Sequence, residues 1–432
     1  MATSMVSVRT WILTACVLTA IGMSSFAGEV VSELAGETWY ETTGPCNDGF
    51  AGLNGSACGN CVQGLDCNCC GDMTPLAMLP GGRWYFQSNL IAYRRDAGQD
   101  EVFQTRNQNV LTFDDTSGDI TGVTPVVDPV LSTSDLDFQN SAGYRLLLGW
   151  RLAEKYAIEF SYFDLNDWNE FLAISDNTEY LPAAVDPLTG DVINPLTGVA
   201  PEADDIEPYS LFSPFSNFGD PPIPAFDFND MASIRYRSSL DNVEINIRHS
   251  ISRKPSRLAV SVLWGGRFNA VREEFTYFTS SAAPASGPGT NTVSIHTDND
   301  LWGAQVGAQF DFCWDPGWHT EFEIKGGVAQ NRAIQESTYT LNGEGPYWNR
   351  VEKDTTSWLG EMRLTLVYQF GQHLTTHIGY EALVLANVAL ASRNFQPDRS
   401  ILASAPPTEQ WVINVGGSVV YHGPSAGFTF AW

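Results

Sequence analysis

Between Gly143 and Phe163 apolar and polar-bearing positions alternate residue by residue. Tyr144, Leu146, Leu148 and Trp150 share one parity; Arg145, Leu147, Gly149 and Arg151 share the other. After a polar turn at Leu152–Lys155, Ile158, Phe160 and Tyr162 oppose Ala157, Glu159 and Ser161. Side chains of a strand point alternately to its two faces, so the stretch predicts a β-hairpin with one greasy and one mixed face. Pairing Trp150 with Ile158, Leu148 with Phe160 and Leu146 with Tyr162 keeps the greasy face in register. Aromatics near both ends of that stripe suit a face that meets lipid and two interfaces. One such hairpin would also fit a soluble sandwich, so repetition decides.

The pattern recurs. Strands are predicted near 84–94, 142–151, 156–163, 232–249, 257–277, 293–311, 318–331, 356–370, 374–388, 410–421 and 426–432, with a weaker candidate at 101–112. Met362, Leu364, Leu366, Tyr368 and Phe370 oppose Glu361, Arg363, Thr365 and Gln369; Val243, Ile245 and Ile247 oppose Glu244, Asn246 and Arg248. Tight turns are expected at 152–155, 252–256, 313–317, 371–373 and 422–425. Long polar connections fall at 95–140, 164–230, 278–292, 332–355 and 389–409. Short turns on one side and long loops on the other mark an outer-membrane barrel. The fold class is therefore all-β: a transmembrane antiparallel β-barrel of about 12 strands. The eleven clearer candidates would leave Trp432 on the outer side, whereas such barrels have even counts. One strand is therefore miscounted or split.

The N-terminus sets the compartment. Arg9 is the only charged side chain before Glu29, an apolar run follows it, and Ser25-Phe26-Ala27 has the form of a signal-peptidase site. Residues 1–27 are read as a cleaved signal peptide, 28–82 as a cysteine-rich periplasmic segment and 83–432 as the barrel. The lipobox-like Leu13-Thr14-Ala15-Cys16 follows too short an apolar run to be favoured. No stretch approaches the length of a membrane helix. The net charge of −27 argues against nucleic acid as a partner. Residues 164–230 carry 14 Asp or Glu and no Lys or Arg, so about half of that charge lies in one connection.

Several segments resemble a known family. They are Gly143–Trp150 with its hairpin, Leu263–Phe268, Asn299–Gly307, Lys325–Asn331, Leu359–Glu361 and Gly379–Leu383. In this order they resemble the type-seven β-barrel porin family, known chiefly from planctomycete-like bacteria; a Legionella-type major outer-membrane porin family is similar in plan. The resemblance covers roughly 83–432 and implies an outer-membrane barrel. The closing Phe428, Phe430 and Trp432 resemble the terminal strand that the barrel-assembly machinery recognises in many outer-membrane proteins.

Candidate chemistry is sparse, and no catalytic residue or cofactor is expected. Gly423-Pro-Ser425-Ala-Gly427 spells a nucleophile elbow, but no Asp, Glu or His follows it. His373 and His377 would stand about 13 Å apart on a strand, too far to share a metal without other ligands. Cys46, Cys58, Cys61, Cys67, Cys69 and Cys70 favour disulfides in an oxidising compartment, with pairing undetermined. Cys313 then stands apart at a predicted turn. The candidates for an inward, lumen-lining face are Arg145, Arg151, Glu159, Arg235, Arg237, Glu244, Arg248, Glu323, Lys325, Glu361 and Arg363. They would either line an aqueous pore or pair with one another and stiffen a narrow barrel. The acidic connection is either a solvated loop or a mouth that biases the pore toward cations. The expected function is passive diffusion of small polar solutes or ions, with lipid, assembly machinery and a homo-oligomer as candidate partners. The rival is a structural or adhesive envelope protein that uses its barrel as an anchor and is crosslinked through its cysteine-rich segment.

Overall fold

The computed structural model describes residues 83–96, 98, 100–113, 120–153, 155–175, 184–185, 192–193, 211–220, 223, 226–251, 258–281, 289–315, 317–370, 373–397 and 412–432. The segment expected to be a signal peptide, the cysteine-rich segment and most of the acidic connection lie outside these residues. The strands are β1 (Trp84–Arg95), β2 (Val102–Phe113), β3 (Ile120–Ser132), β4 (Ser141–Ala153), β5 (Tyr156–Ser175), β6 (Ala184–Val185), β7 (Val192–Ile193), β8 (Leu211–Phe212), β9 (Met231–Ser250), β10 (Leu258–Ser281), β11 (Gly289–Asp315), β12 (Trp318–Leu341), β13 (Glu344–Gln369), β14 (Leu374–Val388) and β15 (Gly417–Ala431). Ten of them close an antiparallel barrel in the order β1, β4, β5, β9, β10, β11, β12, β13, β14, β15. Closure is between the first and last strands, with Tyr85 opposite Ala431. Trp84 and Trp432 exchange backbone hydrogen bonds of 3.1 and 3.0 Å at the turn end of the barrel.

The expected count of about twelve is corrected to ten, for two reasons. First, 101–112 does form a strand, β2, but it joins β3 and β8 in a separate three-stranded sheet. Second, 422–425 is no turn. β15 runs through it, and Pro424 sits where the ladder to β1 skips from Ile91–Ser425 to Arg94–His422. A proline lacks the N–H a ladder needs, and the skip removes that need. The even count returns the start of β1 and the end of β15 to one side.

The expected long connection at 332–355 is also corrected. β12 and β13 continue through it to a two-residue turn, Asn342–Gly343, both at positive φ (50° and 82°). Asn-Gly is the residue pair that a hairpin turn of that twist favours. β5 likewise runs on to Ser175, far past its expected end at 163, whereas β10 and β11 lie close to their expected bounds and extend only to Ser281 and from Gly289.

The reason is a change in what each face carries. On the turn side of β11 the outward residues are Phe312, Phe310 and Trp302, and the inward ones include Gln309 and Gln305. Beyond Trp302 the parity is unchanged but the chemistry is exchanged: Asp300, Asp298 and His296 face out, while Leu301, Ile295 and Val293 are buried inside. The outward apolar run of β13, Tyr368 to Trp358, covers about 33 Å of strand, or about 25 Å of height at the usual tilt near 40°. That is the height of a lipid-facing band. Above it β5 and β9–β13 stand as a crown with a polar outside and an apolar inside. The apolar inside is filled by inward-folded connections, with Phe103, Leu131, Phe138, Phe215, Leu390 and Phe395 packed on barrel residues such as Tyr236, Phe275 and Tyr277.

Candidate functional site

Within the lipid-facing band the inward positions are polar, and they meet at the centre. Five cations (Arg145, Arg248, Arg267, Lys325, Arg363) and five carboxylates (Glu159, Glu244, Glu323, Glu361, Glu381) form one connected layer. Arg248 bridges Glu159 at 2.7 Å and Glu323 at 3.0 Å; Arg363 and Lys325 reach Glu323 at 2.9 and 3.1 Å. Lys325 continues to Glu244 at 3.2 Å, Arg267 holds Glu361 at 2.5 Å, and Arg145 joins Glu361 at 3.3 Å to Glu381 at 2.9 Å. Tyr85 donates to Glu159 (2.6 Å) and Tyr93 to Glu381 (2.5 Å).

Strand register builds this layer. Glu323 lies opposite Arg363, Lys325 opposite Glu361, Arg267 opposite Glu244, and Arg363 opposite Glu381. Each is an opposite-charge pair on one face, the favourable cross-strand arrangement. Gly149 makes room for one further contact. It faces Tyr85 across the ladder, and a Cβ there would fall 1.9 Å from Cζ of the ring that reaches Glu159.

None of the ten side chains is more than 10 % exposed. A water-filled lumen would leave these groups wet. At this level the barrel is closed by mutual pairing, the second of the two arrangements expected for the inward charges. Toward the turn end a cavity of about 80 Å³ remains, lined by Tyr85, Arg151, Glu159, Arg248, Glu321 and His377 among others. That is room for a few waters. Toward the loop end the interior is apolar, and one ionic cluster pins the connections there. Glu273 of β10 takes Arg95 at 2.5 Å, the Tyr236 hydroxyl at 2.6 Å and the Ala391 N–H at 3.0 Å. Arg95 also stacks on Phe138, 4.8 Å from its ring centre, so the cluster ties two separate connections to the wall.

Of the residues expected to face inward, Arg145, Glu159, Glu244, Arg248, Glu323, Lys325, Glu361 and Arg363 lie in the central layer. Arg151 is half-buried at the turn-end cavity. Arg235 and Arg237 are corrected: both point outward on the crown. Arg235 lies over the Phe171 ring at 5.4 Å, and Arg237 pairs with Glu274 at 3.4 Å. On β9 the inward parity is that of Glu244 and Arg248, which these two arginines do not share. Sequence reasoning missed Arg267 and Glu381. Both were legible in principle, since pairing the strands places each opposite a recognised charge. Phe428, Phe430 and Trp432 are exposed on the outer face. His377 bonds Asn89 at 2.6 Å and His373 bonds the Ala431 carbonyl at 3.0 Å. Cys313 is a buried thiol at the end of β11, and the six other candidate disulfide cysteines lie outside the described residues.

Solved structures of similar shape are outer-membrane barrels. The outer-membrane protease OmpT from Escherichia coli shares 8% identity over 82% of this chain and 97% of its own, with a TM-score of 0.43. The toluene transporter TodX of Pseudomonas putida shares 9% over 83% and 93%, with a TM-score of 0.25. The toluene transporter TbuX of Ralstonia pickettii shares 8% over 82% and 90%, with a TM-score of 0.27. Likeness at that level carries no argument about activity. No curated protein matches the chain. A family does: residues 110–412 match the one described as Putative beta barrel porin-7, which is most of the barrel, and the chain belongs to that family.

Proposed function

We propose that this chain is an exported outer-membrane channel of the porin type, closed in the conformation described, that passes small polar solutes or ions when its interior parts. The observation that supports this is the composition of the central layer. A barrel needed only as an anchor can be filled with apolar side chains at equal or better stability, because buried ion pairs recover little beyond their desolvation cost. Ten paired charges make sense in an interior that must also exist wet. The layer itself carries five charges of each sign, so it gives no preference between cations and anions. A cation bias would come from the acidic connection at 164–230.

Conductance of the refolded full-length barrel in a planar bilayer tests the reading. Wild type should be mostly silent, with rare steps. Glu273→Gln, which loosens the ties on two inward connections, should raise the open fraction. Silence of both proteins would leave the anchoring role, favoured by the absence of a wet path through the described layer. Under a salt gradient, a reversal potential on the anion side would remove the cation bias.

A further inference from the structure

Among the described residues the barrel ladder is interrupted on two sides of the crown, and the two margins are treated differently. The pairing of β5 with β4 stops at Gly143–Leu165, which leaves the rest of β5 as one margin. The pairing of β13 with β14 starts at Trp358–Ala386, which leaves residues 344–357 as the other. The β5 margin is covered by the chain's own connection. Trp168 donates its indole N–H to the Gln139 carbonyl at 3.0 Å, and the Gln139 N–H reaches Glu170 at 3.4 Å. Along β13 from Tyr347 to Thr355 the only backbone partner among the described residues is β12. Trp348 is 63% exposed, and Arg350, Glu352, Lys353 and Asp354 are exposed beside it. Arg350 pairs along the outer face with Glu336, and Glu352 with Arg332 at 2.5 Å, while Val351 turns inward onto Ile413, so the outer rim of the margin keeps exposed charge of both signs.

Which groups face this margin follows from two bonds. The Gln369 N–H donates across to Gly317, on the β12 side, at 2.8 Å, and the Thr356 carbonyl accepts from Asn387, on the β14 side, at 3.0 Å. In an antiparallel ladder this alternates. Odd-numbered residues of β13 bond to β12, and even-numbered ones present N–H and C=O at the open margin. The side chains of those same residues, Trp348, Arg350, Glu352 and Asp354, lie on the outer face. A row of unpaired backbone groups is a template for another strand.

We propose that this margin pairs antiparallel with the same margin of a second copy, with Val351 on the two-fold axis. In that register Arg350 opposes Glu352 of the second copy, and symmetry makes the contact twice. Moving the axis to residue 350 or 352 sets Arg350 against Arg350 or Glu352 against Glu352, so charge selects the register. The symmetry also fixes the arrangement of membranes. Two antiparallel strands of one sheet are related by an axis perpendicular to that sheet, and here the sheet is a barrel wall standing on the membrane. The rotation turns the second molecule end for end. The two barrels therefore sit in facing membranes, crown to crown, and the contact is a tether between envelopes.

The test uses full-length protein reconstituted in phosphatidylcholine vesicles, with clustering followed by light scattering. Wild-type vesicles should cluster. Arg350→Glu and Glu352→Arg should each lower clustering by about tenfold, since each places like charges at both symmetric contacts. Vesicles of one variant mixed with vesicles of the other should cluster again, because each then offers the opposite charge. The double exchange, Arg350→Glu with Glu352→Arg, should cluster with itself. Single wild-type vesicles would overturn the proposal, as would single reversals without effect. So would failure of both the mixture and the double exchange in proteins that keep the gel mobility of a folded barrel.

Discussion

Replacing Glu361 by Gln asks whether the central layer is dry. Glu361 is 4% exposed and is shared by three cations, Arg267 at 2.5 Å, Arg145 at 3.3 Å and Lys325 at 3.5 Å. Gln keeps the shape and one acceptor, removes the charge and leaves the layer with five cations against four carboxylates. In a water-filled lumen, an ion pair near 4 Å is worth about 1 kcal/mol; at the effective dielectric of a protein site, the same pair is worth about 4. Breaking a buried pair from one side costs about 3–5 kcal/mol, because the partner charge stays behind. The closed layer therefore predicts a loss of about 3–5 kcal/mol. The assay is guanidinium unfolding of the barrel refolded in micelles, read by tryptophan fluorescence. Adding Arg267→Met to Glu361→Leu should cost less than the sum of the two single changes, by roughly 1–3 kcal/mol. A Glu361→Gln loss below about 1 kcal/mol would mean that water already screens these charges, and the closed interior would be refuted.

Gly149→Val should displace the Tyr85 ring and break its 2.6 Å bond to Glu159, costing about 2–3 kcal/mol in the same unfolding assay; Tyr85→Phe should reproduce only part of it. Ile324→Arg places a charge on the exposed outer face near mid-band, and should cost about 2–4 kcal/mol in bilayers. Asp227→Ala strands buried donors, since this carboxylate accepts from the Ser213 and Ile223 N–H groups at 2.9 and 2.7 Å and from the Ser216 hydroxyl at 2.7 Å. It should loosen residues 211–220 and 226–229 by about 2–3 kcal/mol, seen as faster amide exchange there while the barrel strands keep their protection.

How much of this was legible depended on which part of a strand was read. The hairpin β4–β5 has the register its apolar stripe required, Trp150 with Ile158 and Leu148 with Phe160. There, lipid on one side and charge on the other leave one solution. Higher up, the same alternation carries the opposite message, and an eye tuned to outward apolar residues stops at Asn331 on β12 and misses the buried Tyr339 and Leu341 beyond it. The Arg235 and Arg237 error has the same origin: charge was equated with the interior, which holds only inside the lipid-facing band. The Asn342–Gly343 turn was written plainly and was hidden by the polar residues around it. The inward-folded connections were illegible for another reason. Phe103, Phe138 and Phe395 lie far apart in sequence, and only closure of the wall brings them to one place.

The strands β9 to β13 pass from the lipid-facing band into the crown without interruption, carrying their hydrogen-bond ladders with them. A load applied to the crown along the strands is therefore a shear load, borne by many bonds at once, and there is no hinge at the membrane surface to absorb it. The first groups it would strain inside the band are the charge pairs that these same strands supply: Glu244, Arg267, Glu323, Lys325 and Glu361. In this architecture whatever grips the crown also has a mechanical line to the closure of the barrel.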